Sequence, residues 1–250
     1  MKENQLVRRI LQYVLGLICM AVGLVLLKKT CLGVSPITAV PDSVTNIFIG
    51  TSLQGAMSLG NTTIMLHLLC VIGQIIVQKR VTLKSILCMC VGIPFGKLVD
   101  LFMWLWGLCI PALPAWSSLF QQGAGTIAGT IIAAVLMLFC GIAIQGFGVA
   151  LISGSDLMLP APDELNNVIS KVSGKKLSKV KMTADSIYVA TALLVNLFTY
   201  ILAPERLILS IGISSVVSVL LTGYFVGLTF RLFPNIKLSP FFRSSAGKQD

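Results

Sequence analysis

Two short polar segments of this chain resemble each other, and each follows a long apolar run. Residues 40–46 read VPDSVTN and residues 161–167 read APDELNN, so both contain Pro-Asp and both end in Asn. A shift of residues 31–47 by 121 positions brings together Gly33 and Gly154, Ser35 and Asp156, Pro41-Asp42 and Pro162-Asp163, and Asn46 and Asn167. The repeat indicates that one local structure, with one kind of chemistry, occurs twice.

The Pro-Asp pattern supports two interpretations. Proline suits the first turn of a helix, where an acidic side chain faces free N–H groups at the positive end of the helix dipole. A helix that starts after a break within a membrane also presents backbone N–H and C=O groups, which can hold a solute or an ion. Both interpretations stay open, and they make these residues the candidates for substrate binding: Ser35, Pro36, Thr38, Pro41, Asp42, Asn46, Asp156, Pro162, Asp163 and Asn167.

Three further residues are candidates for ion coupling. Lys97 and Asp100 interrupt an apolar run and lie three residues apart, so they share a helix face and can form an ion pair. Ionisable groups at membrane depth are often functional, so Asp100 could move protons if it titrates. Alternatively, the pair could be structural. His67, the only histidine, could bond between helices or relay protons.

Motifs for other chemistry are missing from the sequence. It contains no HExxH, GxSxG or glycine-rich phosphate loop, so we expect no enzyme activity and no cofactor. The seven cysteines form no CxxC pair and lie mostly in apolar runs, which favours packing over a metal site or disulfides. The chain lacks a basic stretch interleaved with aromatic residues, so nucleic acid is not an expected partner.

The composition identifies the elements that must position these residues. The chain is 56% hydrophobic and 11% charged, with a mean hydropathy of +0.92, whereas soluble domains carry about 25% charged residues. A membrane-spanning helix needs about 20 apolar residues. Six such segments are predicted, at residues 10–27, 61–78, 85–105, 126–152, 186–203 and 207–230. The predicted class is therefore an all-α polytopic membrane protein with a lipid bilayer as its solvent.

The basic residues predict an orientation. With the N-terminus in the cytoplasm, fifteen of the 19 lysines and arginines lie on that side. Cytoplasmic loops of membrane proteins are enriched in these residues, so both termini are expected to be cytoplasmic.

The two halves also match beyond the Pro-Asp segments. Gly92 and Gly96 of GIPFGKLVDLF correspond to Gly223 and Gly227 of GYFVGLTFRLF, and this spacing predicts helix packing. Because each half has three spans, an odd number, the two halves must enter the membrane from opposite sides. This predicts an inverted 3+3 repeat with broken or re-entrant segments. The expected divisions are a first repeat at 1–110, an outer linker at 111–124, a second repeat at 125–234 and a cytoplasmic tail at 235–250.

Several short motifs resemble the YczE/YyaS/YitT group of bacterial integral membrane proteins. They are Arg8-Arg9, Gly16 and Gly23, LGVSP at 32–36, SLG at 58–60 and GKLVD at 96–100. The chain departs from that group at Ile37-Thr38, where relatives usually carry an aromatic-acidic pair. The resemblance implies a multi-pass protein of a bacterial plasma membrane and implies little about activity.

These observations favour a secondary transporter or exporter of a small solute. Transporters with inverted repeats bind their solute at the repeat interface and expose it alternately to each side. Two alternatives remain: an accessory or substrate-capturing subunit that works with a partner ATPase, and a membrane enzyme. The chain could act as a homo-oligomer or with a partner subunit.

Overall fold

The computed structural model describes residues 2–109, 124–202, 204 and 208–233, with side chains at 6–108, 127–202, 204 and 208–233. These residues contain helices and no strands. The helices are α1 (Lys2–Lys29), α2 (Pro36–Ile47), α3 (Leu59–Gln78), α4 (Leu83–Cys109), α5 (Ala124–Ser155), α6 (Ala161–Ser173), α7 (Leu177–Leu202) and α8 (Ile213–Leu232). Six of them, α1, α3, α4, α5, α7 and α8, are long and apolar enough to cross a membrane. The predicted all-helical, six-span architecture is confirmed.

The predicted linker at 111–124, apart from Ala124 at the start of α5, lies outside the described residues, and so does the predicted tail at 235–250. The fifth predicted span begins earlier than expected, because α7 extends through the polar residues from Leu177 onward. The basic stretch at residues 170–181 is therefore mostly helical.

The two Pro-Asp segments are short helices, and each half has the same order of long, short, long and long helices. Helix α6 begins at Ala161 with Pro162 in its first turn, as the helix-start interpretation predicts. Helix α2 begins at Pro36 and carries Pro41 in its interior, so Pro41 does not start it. Because proline lacks an N–H, the carbonyl of Ile37 loses the helical donor that residue 41 would supply.

Helices α1 and α5 cross at four glycines. A Cβ at Gly16 would lie 2.9 Å from the carbonyl oxygen of Gly148, and a Cβ at Gly23 would lie 2.7 Å from that of Gly141. The reverse contacts, from Gly148 to Gly16 and from Gly141 to Gly23, measure 2.7 and 3.2 Å. The early glycine of α1 thus meets the late glycine of α5, so the helices are antiparallel and their backbones are in close contact.

This crossing defines two ends of the bundle. Helix α2 follows the end of α1, and α6 follows the end of α5, so the short helices belong to opposite ends. We call them the α2 end and the α6 end.

Each short helix packs against a long helix of the other half. Helix α2 contacts α7, and α6 contacts α3. Val34 and Ala39 share a buried cluster with Ala192 of α7, and Ala161 of α6 shares another with Leu66 and Cys70 of α3. The two halves are therefore joined by exchanged short helices as well as by the α1–α5 crossing.

The segment before α2 is bound to the start of α8. Val34 N donates to Ser210 O (2.9 Å), and Ser214 N donates to Leu32 O (3.1 Å). Gly33 has a φ of +100° and its backbone touches that of Gly212, which leaves no room for a side chain. These contacts attach the α2 end of the first half to the second half.

The predicted packing glycines differ between the halves. A Cβ at Gly96 would lie 2.5 Å from the carbonyl oxygen of Gly60, and Gly92 lies against the imidazole of His67, so α3 and α4 are in close contact there. Among the described residues, no atom beyond the neighbouring backbone of α8 itself lies within 4 Å of a Cβ placed at Gly223 or Gly227. The GxxxG pair of α8 therefore lies at no close crossing within this part of the chain.

Candidate functional site

A cavity of about 60 Å³ lies between the two halves. It is bounded by both short-helix starts and by α1, α3, α4 and α5. The predicted site residues that line it are Ser35, Thr38, Pro41, Pro162, Asp163 and His67. The structure thus brings residues of the two Pro-Asp segments together with the histidine at one place.

Eight of the lining residues form four pairs, one member from each half, with a spacing of 125 residues. The pairs are Met20 and Gln145, Ser35 and Pro160, Ile37 and Pro162, and Thr38 and Asp163. The glycines of the α1–α5 crossing have the same spacing, since Gly16 precedes Gly141 and Gly23 precedes Gly148 by 125 positions. The reciprocal glycine contacts thus correspond to a shift of 125 between the halves, whereas the Pro-Asp sequences match at a shift of 121. The two differ by four residues, about one helical turn, so the Pro-Asp motif lies one turn earlier in α6.

His67 and Gln145 each bring an unsatisfied polar atom to the cavity lining. The Nδ1 atom of His67 and the Oε1 atom of Gln145 are buried and have no hydrogen-bond partner in the described part of the chain. The side chains are 5% and 9% exposed. The imidazole stacks on the ring of Phe95, with centroids 5.6 Å apart and planes 5° from parallel. Buried polar atoms without partners are rare in native structures, and at these two positions a water or a solute in the cavity can supply the partner.

The first half holds the break before α6 in place. Gln74 Nε2 donates to the carbonyl oxygen of Ala161 at 3.0 Å, and Cys88 Sγ donates to that of Leu159 at 3.5 Å. Carbonyl groups at a helix break need such donors, because inside a bilayer water is absent. The position of this cavity wall is thus set by side chains of α3 and α4.

Asp42 and Asn46 lie away from the cavity lining, in a buried network at the α2 end. Lys28 Nζ is 2.6 Å from Asp42 Oδ1 and donates to Asn46 Oδ1 at 3.1 Å. The amide of Asn46 donates to Asp42 Oδ2, to Ile208 O and to Ser210 Oγ, at 3.1–3.3 Å. This geometry corresponds to a structural role for Asp42, which fixes α2 to α1 and to the segment before α8.

Asp163 has a less buried partner at the α6 end. Lys181 Nζ is 3.2 Å from Asp163 Oδ1, and the two side chains are 49% and 21% exposed. Both residues also line a second cavity of about 70 Å³, which shares Met20, Leu159 and Pro160 with the central one. Asp163 therefore lies at the boundary between the central cavity and a space that extends toward the α6 end.

Lys97 and Asp100 do not form the predicted ion pair. Lys97 Nζ donates to Asn61 Oδ1 at 2.6 Å. Asp100 instead accepts hydrogen bonds from Ser58 Oγ (2.8 Å) and from Gly60 N (2.7 Å), at the start of α3. The carboxylate therefore caps the free N–H group of Gly60 at the N-terminus of α3, outside the cavity lining.

The capping geometry predicts how Asp100 variants behave. We expect Asp100→Ala to lower the free energy of unfolding by about 1 kcal/mol, because the Gly60 N–H loses its acceptor. Asp100→Asn should cost less, since its amide oxygen can still accept that bond. Thermal unfolding of the purified protein in detergent measures both. Equal losses for the two variants would contradict the capping role.

The other predicted residues lie apart from the cavity lining. Pro36 is buried in the first turn of α2, and Asp156 directly follows the last residue of α5, with a φ of +58°. The amide of Asn167 donates to the carboxylate of Glu164 at 3.3 Å within α6. Lys28, Lys181 and Gln145 were not among the predicted site residues. The glycine spacing of α1 and α5, once compared, would have aligned Gln145 with Met20.

The fold and the cavity together define the class of protein: a multi-span helical membrane protein with an internal cavity between its two halves. The chain belongs to DUF6198, a family of unknown function whose sequence pattern matches residues 7–231. This match does not connect it with the YczE/YyaS/YitT group, and that resemblance stays a prediction. Comparison with curated proteins and with solved structures gave no match.

Proposed function

We propose that the protein is a secondary transporter of a small solute, which binds in the central cavity between two inverted repeats. The paired lining carries this proposal. Residues 125 positions apart meet at one cavity, as expected when two equivalent halves face each other around a two-fold axis. The reciprocal glycine contacts of α1 and α5 support the same axis.

The two ends of the bundle are held with different strength. At the α2 end, the buried Lys28–Asp42 pair, the Asn46 amide and the backbone contacts of Gly33 act together. At the α6 end, the more exposed Lys181–Asp163 pair lies beside the second cavity. We infer that this conformation is closed at the α2 end and that the solute exchanges through the α6 end. Transport then requires the opposite state, in which the α2 end opens.

The proposed location is a bacterial plasma membrane, with the α6 end and both termini in the cytoplasm. The basic residues that border the α6 end, among them Lys79, Arg80 and Lys181, support this orientation. The motifs shared with the YczE/YyaS/YitT group support the location. In this proposal the protein moves its solute without converting it.

Cysteine accessibility tests the alternating exposure. We expect Thr38→Cys and Leu159→Cys, in a background with the native cysteines replaced by serine or alanine, to react with a membrane-impermeant thiol reagent from either side of oriented membranes. Both positions line the central cavity, which each state would open to a different side. Labelling on intact cells and on inverted vesicles gives the measurement.

Val99→Cys is the control, because Val99 is fully buried in the apolar core between α1 and α4. It should stay unlabelled from both sides. Labelling of the two cavity positions from one side only, under all conditions, would overturn alternating access.

A further inference from the structure

We propose that the central cavity selects an uncharged solute that has one hydrogen-bonding group, such as an amide or hydroxyl, and a short apolar body. This inference rests on the proposed function, since it names the class of solute that the same site takes. Three properties of the lining carry it: its unsatisfied polar atoms, its charge and its size.

The unsatisfied polar atoms of the lining favour a solute with a group that can donate a hydrogen bond. Gln145 Oε1 can only accept, and His67 Nδ1 donates or accepts according to its tautomer. The hydroxyls of Ser35 and Thr38, which bond each other at 2.9 Å, lie in the same lining. A primary amide or an alcohol can satisfy such a set, because each both donates and accepts.

The charges around the cavity oppose ions of either sign. Asp163 is already paired with Lys181. An anion would meet the carboxylate of Asp163, in the first turn of α6. A cation would find that carboxylate already paired with Lys181 and would face the positive N-terminal ends of α2 and α6. Burial of a charge without a free counter-charge costs more than the burial of a neutral group. A neutral solute avoids both costs.

The size and the walls define the rest of the solute. Since one water needs roughly 10–15 Å³ of such volume, a cavity of about 60 Å³ holds a molecule of about four to six non-hydrogen atoms. Much of the remaining lining is apolar: Leu17, Met20, Leu24, Leu66, Val91 and Phe95. This surface suits a short hydrocarbon body.

A matched set of four-carbon probes tests the inference. Butyramide is neutral, butyrate is an anion and butylammonium is a cation, and the three have nearly the same size. We expect butyramide to raise the unfolding temperature of the purified full chain in a dose-dependent manner, with a Kd at least about tenfold lower than those of both ions, equal to 1.4 kcal/mol. Tighter binding of either ion, or no binding by any of the three probes, would overturn the proposal.

Gln145→Leu should weaken butyramide binding at least fivefold, because it removes the accepting oxygen at nearly constant size. Gln12→Leu is the matched control, since Gln12 bonds Leu151 O outside the cavity lining and should leave binding unchanged. If Gln145→Leu fails to fold, Thr38→Val replaces it as the cavity variant. Binding that the cavity variant leaves unchanged would also overturn the proposal.

Liposome swelling separates this inference from the transport proposal. Binding of butyramide without protein-dependent uptake would defeat transport and leave the solute class standing. Uptake of butyrate in preference to butyramide would support transport and defeat the solute class.

Discussion

Replacement of Lys28 by methionine is expected to lower the free energy of unfolding by about 3–5 kcal/mol. The change leaves the carboxylate of Asp42, which is 2% exposed, without its cationic partner at 2.6 Å. The Asn46 amide, at 3.3 Å, remains as a donor but does not neutralise the charge. Thermal unfolding of the purified protein in detergent measures the loss.

Lys181→Met is the matched control, because it breaks the ion pair of the other Pro-Asp segment. That pair is longer, at 3.2 Å, and more exposed, so its loss should cost less than about 1 kcal/mol. A double variant, Lys28→Met with Asp42→Asn, should recover part of the stability, since it removes the stranded charge. Equal losses for the two lysine variants would show that the network at the α2 end is not the stronger one.

The second large effect is expected at the α1–α5 crossing. We expect Gly23→Ala to cost about 1–3 kcal/mol, because the added Cβ would lie 2.7 Å from the carbonyl oxygen of Gly141 and 2.8 Å from the backbone nitrogen of Gln145. Backbone atoms cannot rotate away, so the two helices must separate. The unfolding temperature reports the loss, and altered accessibility of Leu159→Cys would report the displaced cavity wall.

Gly227→Ala provides the comparison for this change. It is also a helical glycine in an apolar span, but no described atom beyond the neighbouring backbone of α8 itself lies within 4 Å of the added Cβ. Its stability should stay equal or rise slightly, because alanine has the higher helix propensity. A loss as large as that of Gly23→Ala would mean that any glycine substitution in these spans is harmful, whatever its contacts.

Much of the fold could be predicted from the sequence, because apolar segments of about 20 residues specify membrane spans directly. The register between the halves could not be read from the Pro-Asp motif. That motif matches at a shift of 121, whereas the contacting glycines of α1 and α5 match at 125. The similarity of the two Pro-Asp sequences reflects the position of the proline, whereas the packing of the two halves depends on the close backbone contacts at the glycines.

The candidate site was predicted in part for the same reason. His67 and Asp163 are conspicuous polar residues beside apolar runs, and both line the cavity. Lys28 looked like a charge at the end of a span, and nothing in its local sequence indicates that it reaches Asp42. Lys97 and Asp100 share a helix face by their spacing, but each forms a hydrogen bond with a residue at the start of α3 instead of with the other. Spacing within one helix does not show which neighbouring helix supplies a partner.

The exchanged short helices have a mechanical consequence. Since α2 packs against α7 and α6 packs against α3, a tilt of one half would also move the short helix of the other half. In the proposed transport cycle, opening of one end of the bundle and closing of the other are therefore a single displacement. Opening of both ends at once, which would leave a continuous leak, would require a short helix to separate from the long helix on which it packs.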